Sequence, residues 1–548
     1  MAIFAQSAPA PLPALRYETD GFRVPEGRIM GRHSAGHSFL KAFVQASKDA
    51  PSITGVGALA RTGEAFAQDI RALDPALQAQ FIRLDDQRAI AQKGAMHLAD
   101  PSLSIHAQLR QSVGPAAYSL TGVTHTISSM GAMGLIADLL TAPVMPWDGL
   151  ICTSDVVKSS VETLMAAQAD YLRWRFGQSI ALGGPQLATI PLGVDCASFA
   201  GFSETSSARA ALGLEPDDVV FLFLGRLSFH AKAHPLPMYL GLEEVAQKLK
   251  RKLVLIQCGW FANEFIENAF RDGAARFAPS VRHMFLDGRQ DEARQVAWSA
   301  CDIFMSLSDN IQETFGLTLI EAMAAGKPVI ATDWDGYRQT ARHGDTGFMV
   351  PTLMPERFGD DLALSHAAGS ITYDQYLAQG SALVHVDLRA LCEAIEQLVR
   401  APDLRRRMGL AGQKRAQLMF DWSVILSEYQ TFWTELAARR ARAAHDVAPR
   451  PATQLDPGHL FATYPTQRIN GSRRFVLREN VSAWQEIAQH ALFGAATVKA
   501  ELVSVILQKL REGPISLQEI TDQVAWPDGD HVIETVSQLA KMGLVEQA

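Results

Sequence analysis

Short apolar runs of strand length alternate with amphipathic helical patterns along most of this 548-residue chain. Such alternation is typical of parallel α/β layers. In the first half, the strand candidates are residues 52–59, 80–84, 118–128, 149–154 and 187–194. The pattern then restarts, with candidates at 219–227, 253–259, 281–288, 301–308 and 327–333. Because these runs are almost continuously apolar, helices are expected on both faces of each sheet. The sequence therefore predicts two doubly wound α/β domains.

Proline-rich segments and a change of pattern near residue 417 indicate the domain boundaries. The N-terminal stretch MAIFAQSAPAPLPAL lacks the basic start of a signal peptide, so it is expected to be a flexible tail. Three short helical patterns at the end of the chain resemble a winged-helix module. The predicted division is a tail at 1–15, a first domain at 16–200, a second at 201–417, a closing helix at about 418–445 that completes the first, a linker at 446–470 and the winged-helix-like module at 471–548.

Composition excludes several classes of partner. A net charge of -8 leaves no basic surplus for nucleic acid or an anionic membrane. The presumed recognition helix of the terminal module, residues 531–543, carries a single lysine, which favours protein docking or dimerisation over DNA binding. The longest apolar stretch, residues 131–145, is too short to span a membrane and contains Asp138. Five widely spaced cysteines without a CxxC pair indicate buried, reduced thiols. We expect a cytoplasmic protein, with a peripheral position at the inner membrane left open.

The stretch ETFGLTLIE, residues 313–321, follows a strand candidate and opens a helix. Gly316 lets the backbone approach a ligand, and the amides of Gly316, Leu317 and Thr318 lie where a helix start binds phosphate. Glu321, about one and a half turns into the helix, is placed to accept hydrogen bonds from two ribose hydroxyls. Glu313 could accept them from a hydroxylated group beyond the phosphates. The alternative is a packing helix, but an unpaired Glu321 inside an apolar run would be costly.

A second loop carries the complementary charge. GRLSFHAKAHP follows the first strand candidate of the second domain and contains Arg226 and Lys232. An arginine binds phosphate as a fork and a lysine as a point charge, so the pair suits a diphosphate. Taken alone, two basic residues in a loop are more often solvated surface. Their position on the same sheet edge as ETFGLTLIE favours the anion site.

Four segments together carry a family resemblance: GRLSFHAK, SLSDNIQETFGLTLIEAMAAGKPVIATDWDGY, HGDTGFMV and IPLGVDCASF. They are similar to the retaining glycosyltransferases of family 4, which have the GT-B fold of two Rossmann-like domains facing a cleft. The resemblance is strong over about 187–425, weaker before that, and does not cover the last hundred residues. It implies that the second domain binds a nucleotide diphosphate sugar. It also implies that the diphosphate is bound by Arg226, Lys232 and the amides of Phe315, Gly316, Leu317 and Thr318. The ribose is then bound by Glu321, the transferred sugar by Glu313, and the base by the loop at Gly288 and Arg289.

The first domain offers fewer matches to this family. Residues 27–43, GRIMGRHSAGHSFLKAF, place Gly31 and Gly36 before a helix and resemble the glycine loop that faces the donor, although the usual Gly-Gly pair is missing. His125, in LTGVTHTIS, matches the histidine that reaches the sugar. A structural histidine is the alternative there, and His33 and His37 are weaker candidates.

The resemblance implies a hexosyltransferase that moves a sugar to a hydroxyl of a saccharide, a lipid-linked acceptor or a protein, in cell-surface polysaccharide or glycoconjugate synthesis. The departing diphosphate is expected to take the acceptor's proton, so no separate base is sought. Asp333-Trp334-Asp335 and Asp528-Gly529-Asp530 have the DxD form that binds a metal in another glycosyltransferase fold, but neither stands at the required position. We therefore predict neither an essential metal nor another cofactor. The alternatives are a non-catalytic sugar-nucleotide-binding regulator that acts through the terminal module, and a sugar phosphorylase of the same fold.

Overall fold

The structure is a computed structural model that describes residues 12–23, 31–202, 205–443, 449–478, 484–493, 499–524 and 529–548. The chain divides into two compact units, Met1–Pro451 and Ala452–Ala548. The first unit contains both large sheets.

The first sheet has seven strands, all parallel. They are β1 (Ala14–Arg16), β2 (Ser52–Gly57), β3 (Gln78–Arg83), β4 (Ala95–Leu98), β5 (Ser119–Val123), β6 (Gly149–Cys152) and β7 (Gln186–Thr189). The helices are α1 (Thr19–Phe22), α2 (Gly31–Ala46), α3 (Ala60–Leu73), α4 (Gln87–Lys93), α5 (Leu103–Arg110), α6 (Met130–Ala137) and α7 (Asp155–Phe176). The strand order is β3-β2-β1-β4-β5-β6-β7, so the chain doubles back at β1 and β4.

Two strands of this sheet were not expected from the sequence. The predicted tail at 1–15 is wrong at its end, because β1 lies in the middle of the sheet and Leu15 pairs with both Gly55 and His97. Leu15 is fully buried. Residues 1–11 lie outside the described residues. The short strand β4 was also missed. Runs of three and four residues carry too little periodicity to be recognised, and their pairing partners come from distant segments.

The second sheet has six parallel strands. They are β8 (Val219–Leu224), β9 (Leu253–Gly259), β10 (Arg282–Asp287), β11 (Ile303–Ser306), β12 (Val329–Thr332) and β13 (Gly347–Val350), in the order β10-β9-β8-β11-β12-β13. Helix α8 (Thr205–Ala211) precedes β8, and the helices between the strands are α9 (Pro235–Leu249), α10 (Glu264–Phe277), α11 (Asp291–Ala300), α12 (Leu317–Ala324) and α13 (Tyr337–Thr340). After β13 come β14 (Thr352–Leu353), α14 (Asp360–Ala367), α15 (Tyr373–Ser381), β15 (His385–Val386), α16 (Leu388–Arg400), α17 (Pro402–Met419) and α18 (Trp422–Arg440).

Helix α18 returns the chain to the first domain. Ile425, Tyr429 and Trp433 are buried in the core of the first sheet, and the Trp433 indole donates to Thr121 Oγ1 at 3.1 Å. The closing helix expected at about 418–445 thus corresponds to α18, which begins after a break at Phe420. Two doubly wound parallel sheets, the first completed by the last long helix, confirm the predicted GT-B fold class.

The five cysteines are all free and buried. Burial raises the pKa of Cys152 to about 12, and the same cause acts on Cys258. A thiol in such surroundings is inert packing material rather than a nucleophile. The prediction of buried, reduced cysteines is therefore confirmed.

The second unit combines short helices with a small antiparallel sheet. Its elements are α19 (Pro457–Leu460), β16 (Arg474–Leu477), α20 (Trp484–Gln489), α21 (Ala500–Leu510), β17 (Ile515–Ser516), α22 (Leu517–Val524), α23 (Gly529–Lys541) and β18 (Val545–Gln547). The sheet order is β17-β16-β18, so its middle strand precedes the three main helices in the chain. Ser516 and Glu519 form the expected capping box, with hydrogen bonds of 3.2 and 2.8 Å. The name winged helix stays a prediction for this unit.

Within the part of the chain that the structure describes, every helix falls short of the length and apolarity that crossing a membrane requires.

Candidate active site

The two motif loops of the second domain meet at one edge of its sheet. They follow β8 and β11, which are neighbours, so parallel pairing brings their carboxyl ends together. Asn310 Nδ2 donates to the carbonyl of Lys232 at 2.7 Å, and Gln312 Nε2 donates to the carbonyl of Ala231 at 2.7 Å. These amide side chains join the loops at the backbone, so the charged groups on them are held in register.

Lys232 and Glu313 form an ion pair between the loops. Their side chains are only 20% and 13% exposed, so the pair is largely withdrawn from water. Burial on its own would raise the pKa of Glu313, but the charge and hydrogen bond of Lys232, together with the amides of Thr314 and Phe315, hold it below its usual value. Glu313 is therefore ionised at neutral pH. The structure brings these two predicted residues into direct contact.

Arg226 lies in the same loop as Lys232 but has a different environment. Its guanidinium donates to the carbonyl of Ala231 at 3.2 Å. Burial lowers its pKa, and Asp374, Tyr373 and Glu313 act in the opposite direction. No carboxylate of the described chain lies within ion-pair distance of it. A partly buried arginine of this kind retains donors for an incoming anion.

The start of α12 is shaped by Gly316. This residue has φ of +83°, a left-handed conformation that favours glycine. A Cβ there would lie 1.9 Å from Cε1 of Tyr337, whose buried hydroxyl is 2.9 Å from Ser306 Oγ. The amides of Leu317 and Thr318 fall in the first helical turn, where no intrahelical acceptor exists. The amide of the buried Phe315 was assigned to the diphosphate, but in the structure it is directed at the carboxylate of Glu313.

Glu321 lies one turn further along α12. Burial raises its pKa to about 7, while Lys232 and Arg294 act in the opposite direction. Its carboxylate makes no hydrogen bond or ion pair to any residue in the described ranges. A partly exposed carboxylate without a protein partner, facing two cations, can accept hydrogen bonds from ligand hydroxyls.

Three glycines line the ends of adjacent strands beside this site. Cβ atoms on Gly259 and Gly288 would lie 1.9 Å from the Gly225 carbonyl oxygen and 2.8 Å from Gly259 Cα. The backbone around Gly288 can therefore lie close to a neighbouring strand end. Arg289 is engaged elsewhere, since its guanidinium is paired with Asp287 at 2.7 Å and is 47% exposed. Instead, Arg294 donates to the Gly288 carbonyl at 2.6 Å.

Two residues near the site were missed from the sequence. Arg294 is one of the cations that act on Glu321, and its only signal was a basic residue in the first turn of α11. Asp335 has φ of +42° and lies in the turn next to Gly316. There its Oδ1 accepts a hydrogen bond from the Tyr337 amide at 3.0 Å. Burial, reinforced by the charge of Glu313, raises the pKa of Asp335 well above its usual value. In the sequence, Asp335 stands out only as part of a DxD string in a turn. Asp528, of the other DxD string, lies outside the described residues.

The first-domain predictions fare differently. The expectation that Gly31 and Gly36 precede a helix is wrong, because α2 begins at Gly31 and contains Gly36. A Cβ on Gly36 would lie 1.8 Å from the Gly21 carbonyl oxygen, so this glycine permits close packing of α2 on α1. Residues 24–30, the rest of that predicted loop, lie outside the described residues. His33 on the same helix is buried, with Nε2 3.4 Å from Asp20, whereas His37 is exposed.

His125 lies just after β5, and its Nε2 is 2.9 Å from the Ala99 carbonyl oxygen. The first domain also reaches the motif loops directly. Ser154 Oγ, at the start of α7, donates to the Thr314 carbonyl at 3.1 Å, next to Glu313. Both domains therefore border the site.

Comparison with known proteins agrees with this geometry. Residues 204–364 match the family described as Glycosyl transferases group 1. Phosphatidyl-myo-inositol mannosyltransferase from Mycobacterium tuberculosis is 31% identical over 215 residues, covering 39% of this chain and 52% of that protein. The same enzyme from Mycobacterium leprae is 27% identical over 352 residues, covering 62% and 73%. D-inositol 3-phosphate glycosyltransferase from Nocardioides is 30% identical over 201 residues, covering 34% and 42%.

The chain thus spans about half the length of the first of these relatives. Among solved structures, Anabaena Alr3699/HepE in complex with UDP is similar over 77% of this chain and 100% of its own, with a TM-score of 0.49 and 14% identity.

Proposed function

We propose that this protein is a retaining glycosyltransferase that moves a hexose from a nucleotide diphosphate sugar to a hydroxyl acceptor. One observation carries the proposal: the carboxyl edge of the second sheet combines Arg226, the Lys232–Glu313 pair, the start of α12 and the carboxylate of Glu321, which has no hydrogen-bond partner among the residues that the structure describes. Cations and amides suit a diphosphate, and a carboxylate with no protein partner suits the ribose hydroxyls. The match of residues 204–364 to the glycosyl transferases group 1 family supports the same reading.

The proposed step breaks the bond between the sugar's anomeric carbon and the diphosphate oxygen, and the electron pair leaves with that oxygen. The acceptor's hydroxyl oxygen forms the new bond on the same face, and its proton passes to the departing phosphate. Arg226, Lys232 and the α12 amides face the oxygen on which negative charge grows. Fixed donors at such a position typically lower the activation barrier by ~3 kcal/mol each. Glu313, held ionised by Lys232, is placed to position the sugar.

The names of the relatives suggest where to begin with substrates. Two of them are mannosyltransferases that act on phosphatidyl-myo-inositol, and a third is named for inositol phosphate. We therefore propose a mannosyl donor as the first candidate and an inositol-bearing acceptor as the first acceptor, ahead of other saccharides, lipid-linked acceptors and proteins. Synthesis of cell-surface polysaccharide or glycoconjugate on the cytoplasmic side is the proposed setting.

The test is a panel of nucleotide sugars incubated with the protein, with release of the nucleoside diphosphate followed by chromatography. Lys232→Ala and Glu313→Ala are each expected to lower the rate of release about a hundredfold or more. Lys248→Ala is the matched control, because Lys248 pairs with Glu396 on the exposed surface of the same domain. Equal rates for Lys232→Ala and Lys248→Ala would contradict the proposed site.

The same panel separates the alternative functions. A regulator would bind a nucleotide sugar, raise the melting temperature by mass action and release nothing. A phosphorylase would release a sugar phosphate rather than a nucleoside diphosphate. We further propose that transfer needs no divalent metal, so the rate of release should be the same with and without EDTA.

For the unit Ala452–Ala548 we propose protein docking or self-association rather than DNA binding. Helix α23 buries Val532, Val536 and Leu539 and contributes a single lysine, Lys541. Sedimentation of the full chain over a range of concentrations tests self-association. Salt-sensitive binding of duplex DNA at physiological ionic strength would contradict the proposal.

A further inference from the structure

The edge of the second sheet borders a cavity whose lining differs entirely from the residues assigned to the donor. Its volume is about 720 Å³, which is within the range of small-molecule sites. Strand β13 forms this edge of the sheet, and β12 separates it from β11, whose following loop carries Glu313. One wall is made by α13 and the turn after it, and the other wall by α16. The cavity is therefore a second concave site in the same domain.

The floor of this cavity is apolar. Phe348 and Met349 of β13 and Ala394 of α16 line it, and all three are buried. His343 borders the floor, with its ring centroid 5.6 Å from that of Phe348 and its Nδ1 accepting from the Met349 amide at 3.2 Å. A floor of this kind suits the C–H face of a small ring, while polar groups remain at the walls.

Two arginines line the first wall. The guanidinium of Arg338 lies 3.5 Å from Asp333, but the side chains are 58% and 45% exposed, so this ion pair is weak. The side chain of Arg342 makes no hydrogen bond or ion pair with any residue in the described ranges. Burial lowers the pKa of Arg415, the nearby charge of Arg342 lowers it further, and Asp345 opposes both effects. An anion bound at Arg338 and Arg342 therefore displaces no strong partner and relieves repulsion between like charges.

The opposite wall offers hydrogen-bonding groups of another kind. Glu393 and Gln397 stand four residues apart on α16, so they lie on one face of the helix, and both line the cavity. Among the residues that the structure describes, neither side chain has a hydrogen-bond partner. A carboxylate accepts hydrogen bonds from hydroxyl groups, and an amide both donates and accepts them. Because the Glu393 carboxylate repels anions, an anionic group is favoured only at the arginine wall.

We propose that this cavity binds a small phosphorylated sugar or polyol, with the phosphate on Arg338 and Arg342 and the hydroxyls on Glu393 and Gln397. Two guanidiniums can bind the oxygens of one phosphate as forks, and the carboxylate opposite takes the hydroxyl end. A free sugar lacks the charge that the arginines attract, and inorganic phosphate lacks the groups that α16 recognises. The cavity shares no residue with the donor site, so this inference does not depend on the function proposed above.

The first experiment is calorimetry of the full chain with glucose 6-phosphate, glucose and inorganic phosphate as probes. Glucose 6-phosphate should bind about tenfold or more tightly than either fragment, because it engages both walls at once. Arg342→Ala should lower its affinity about tenfold or more, as expected for the loss of hydrogen bonds to a charged group. Arg406→Ala is the control, since Arg406 is 77% exposed on α17 and does not line the cavity. Equal affinities for the wild type and Arg342→Ala would overturn the proposal.

A second variant tests the wall formed by α16. Glu393→Ala removes the acceptor for the hydroxyls, so it should lower the affinity for glucose 6-phosphate about threefold or more. It should not lower the affinity for inorganic phosphate, because the lost carboxylate only repelled that ion. An unchanged affinity for glucose 6-phosphate in Glu393→Ala would overturn the recognition of hydroxyls and leave a simple anion site in place of the one proposed.

Lys232→Ala distinguishes this cavity from the phosphate seat of the candidate active site. Binding of glucose 6-phosphate that survives in Lys232→Ala and is lost in Arg342→Ala is the expected result. Binding that is lost in Lys232→Ala and kept in Arg342→Ala would place the anion at the active site and overturn the proposal. Failure of the wild type to bind glucose 6-phosphate at millimolar concentrations would also overturn it. A protein that releases no nucleoside diphosphate would contradict the proposed function without changing any of these expected affinities.

Discussion

Replacing Gly316 by alanine should destabilise the protein and disrupt the predicted phosphate seat. An alanine at φ of +83° costs roughly 1–2 kcal/mol in backbone strain. Its Cβ would also lie 1.9 Å from Cε1 of Tyr337, a fully buried ring fixed by the hydrogen bond to Ser306. Forcing such a ring aside costs typically about 1–3 kcal/mol. Together these terms predict a loss of about 2–5 kcal/mol in the free energy of unfolding.

Gly326 provides a matched control at the other end of the same helix. It has φ of +70°, but a Cβ there meets nothing within 4 Å. Gly326→Ala should therefore cost only the backbone strain of roughly 1–2 kcal/mol. Urea unfolding followed by tryptophan fluorescence measures both losses, and calorimetry measures nucleoside diphosphate binding, which Gly316→Ala should weaken and Gly326→Ala should not. Equal losses of stability for the two variants would refute the role assigned to the Tyr337 ring.

Three further predictions concern titration and buried charge. Because the pKa of Glu321 is raised to about 7 and ribose hydroxyls favour the carboxylate, nucleoside diphosphate affinity should rise with pH through neutrality. The terminal phosphate of the ligand also gains charge near about pH 6, so calorimetry of Glu321→Gln should show a smaller rise than the wild type. Burial raises the pKa of Asp309 from 3.8 to about 7, so the folded protein holds a proton there that the unfolded chain releases. The free energy of unfolding should therefore fall as the pH rises between these two values. In urea unfolding, Asp309→Asn should raise the free energy of unfolding by about 2 kcal/mol at about pH 8 and leave it unchanged at about pH 4. Arg110 and Asp148 form a fully buried bidentate pair at 2.6 and 2.7 Å, so Arg110→Met should lower the free energy of unfolding by about 3–5 kcal/mol, and a loss below 1 kcal/mol would contradict that account.

Much of the candidate site could be predicted because its residues stand in short loops next to strongly apolar strands. Lys232 and Glu313 are separated by 81 positions, yet each follows a recognisable strand, and parallel pairing brings strand ends to one edge. Asp335 and Arg294 could not be found in this way. Asp335 matters because its buried carboxyl lies near the charge of Glu313, and Arg294 because it reaches the Gly288 carbonyl from another helix. Such relations depend on distances between side chains that periodicity does not contain.

The sequence by itself determined the two doubly wound domains, the buried thiols and the chemistry of the loops at 226–232 and 313–321, because apolar periodicity and local residue type decide these features. Only the tertiary structure decided that β1 lies between β2 and β4 inside its sheet, that Gly36 serves the packing of α2 on α1, and that Tyr373 reaches Ser128. The physical reason is common to all three. Each is a contact between segments far apart in the chain, and its partner is chosen by three-dimensional packing rather than by any pattern in the residues nearby.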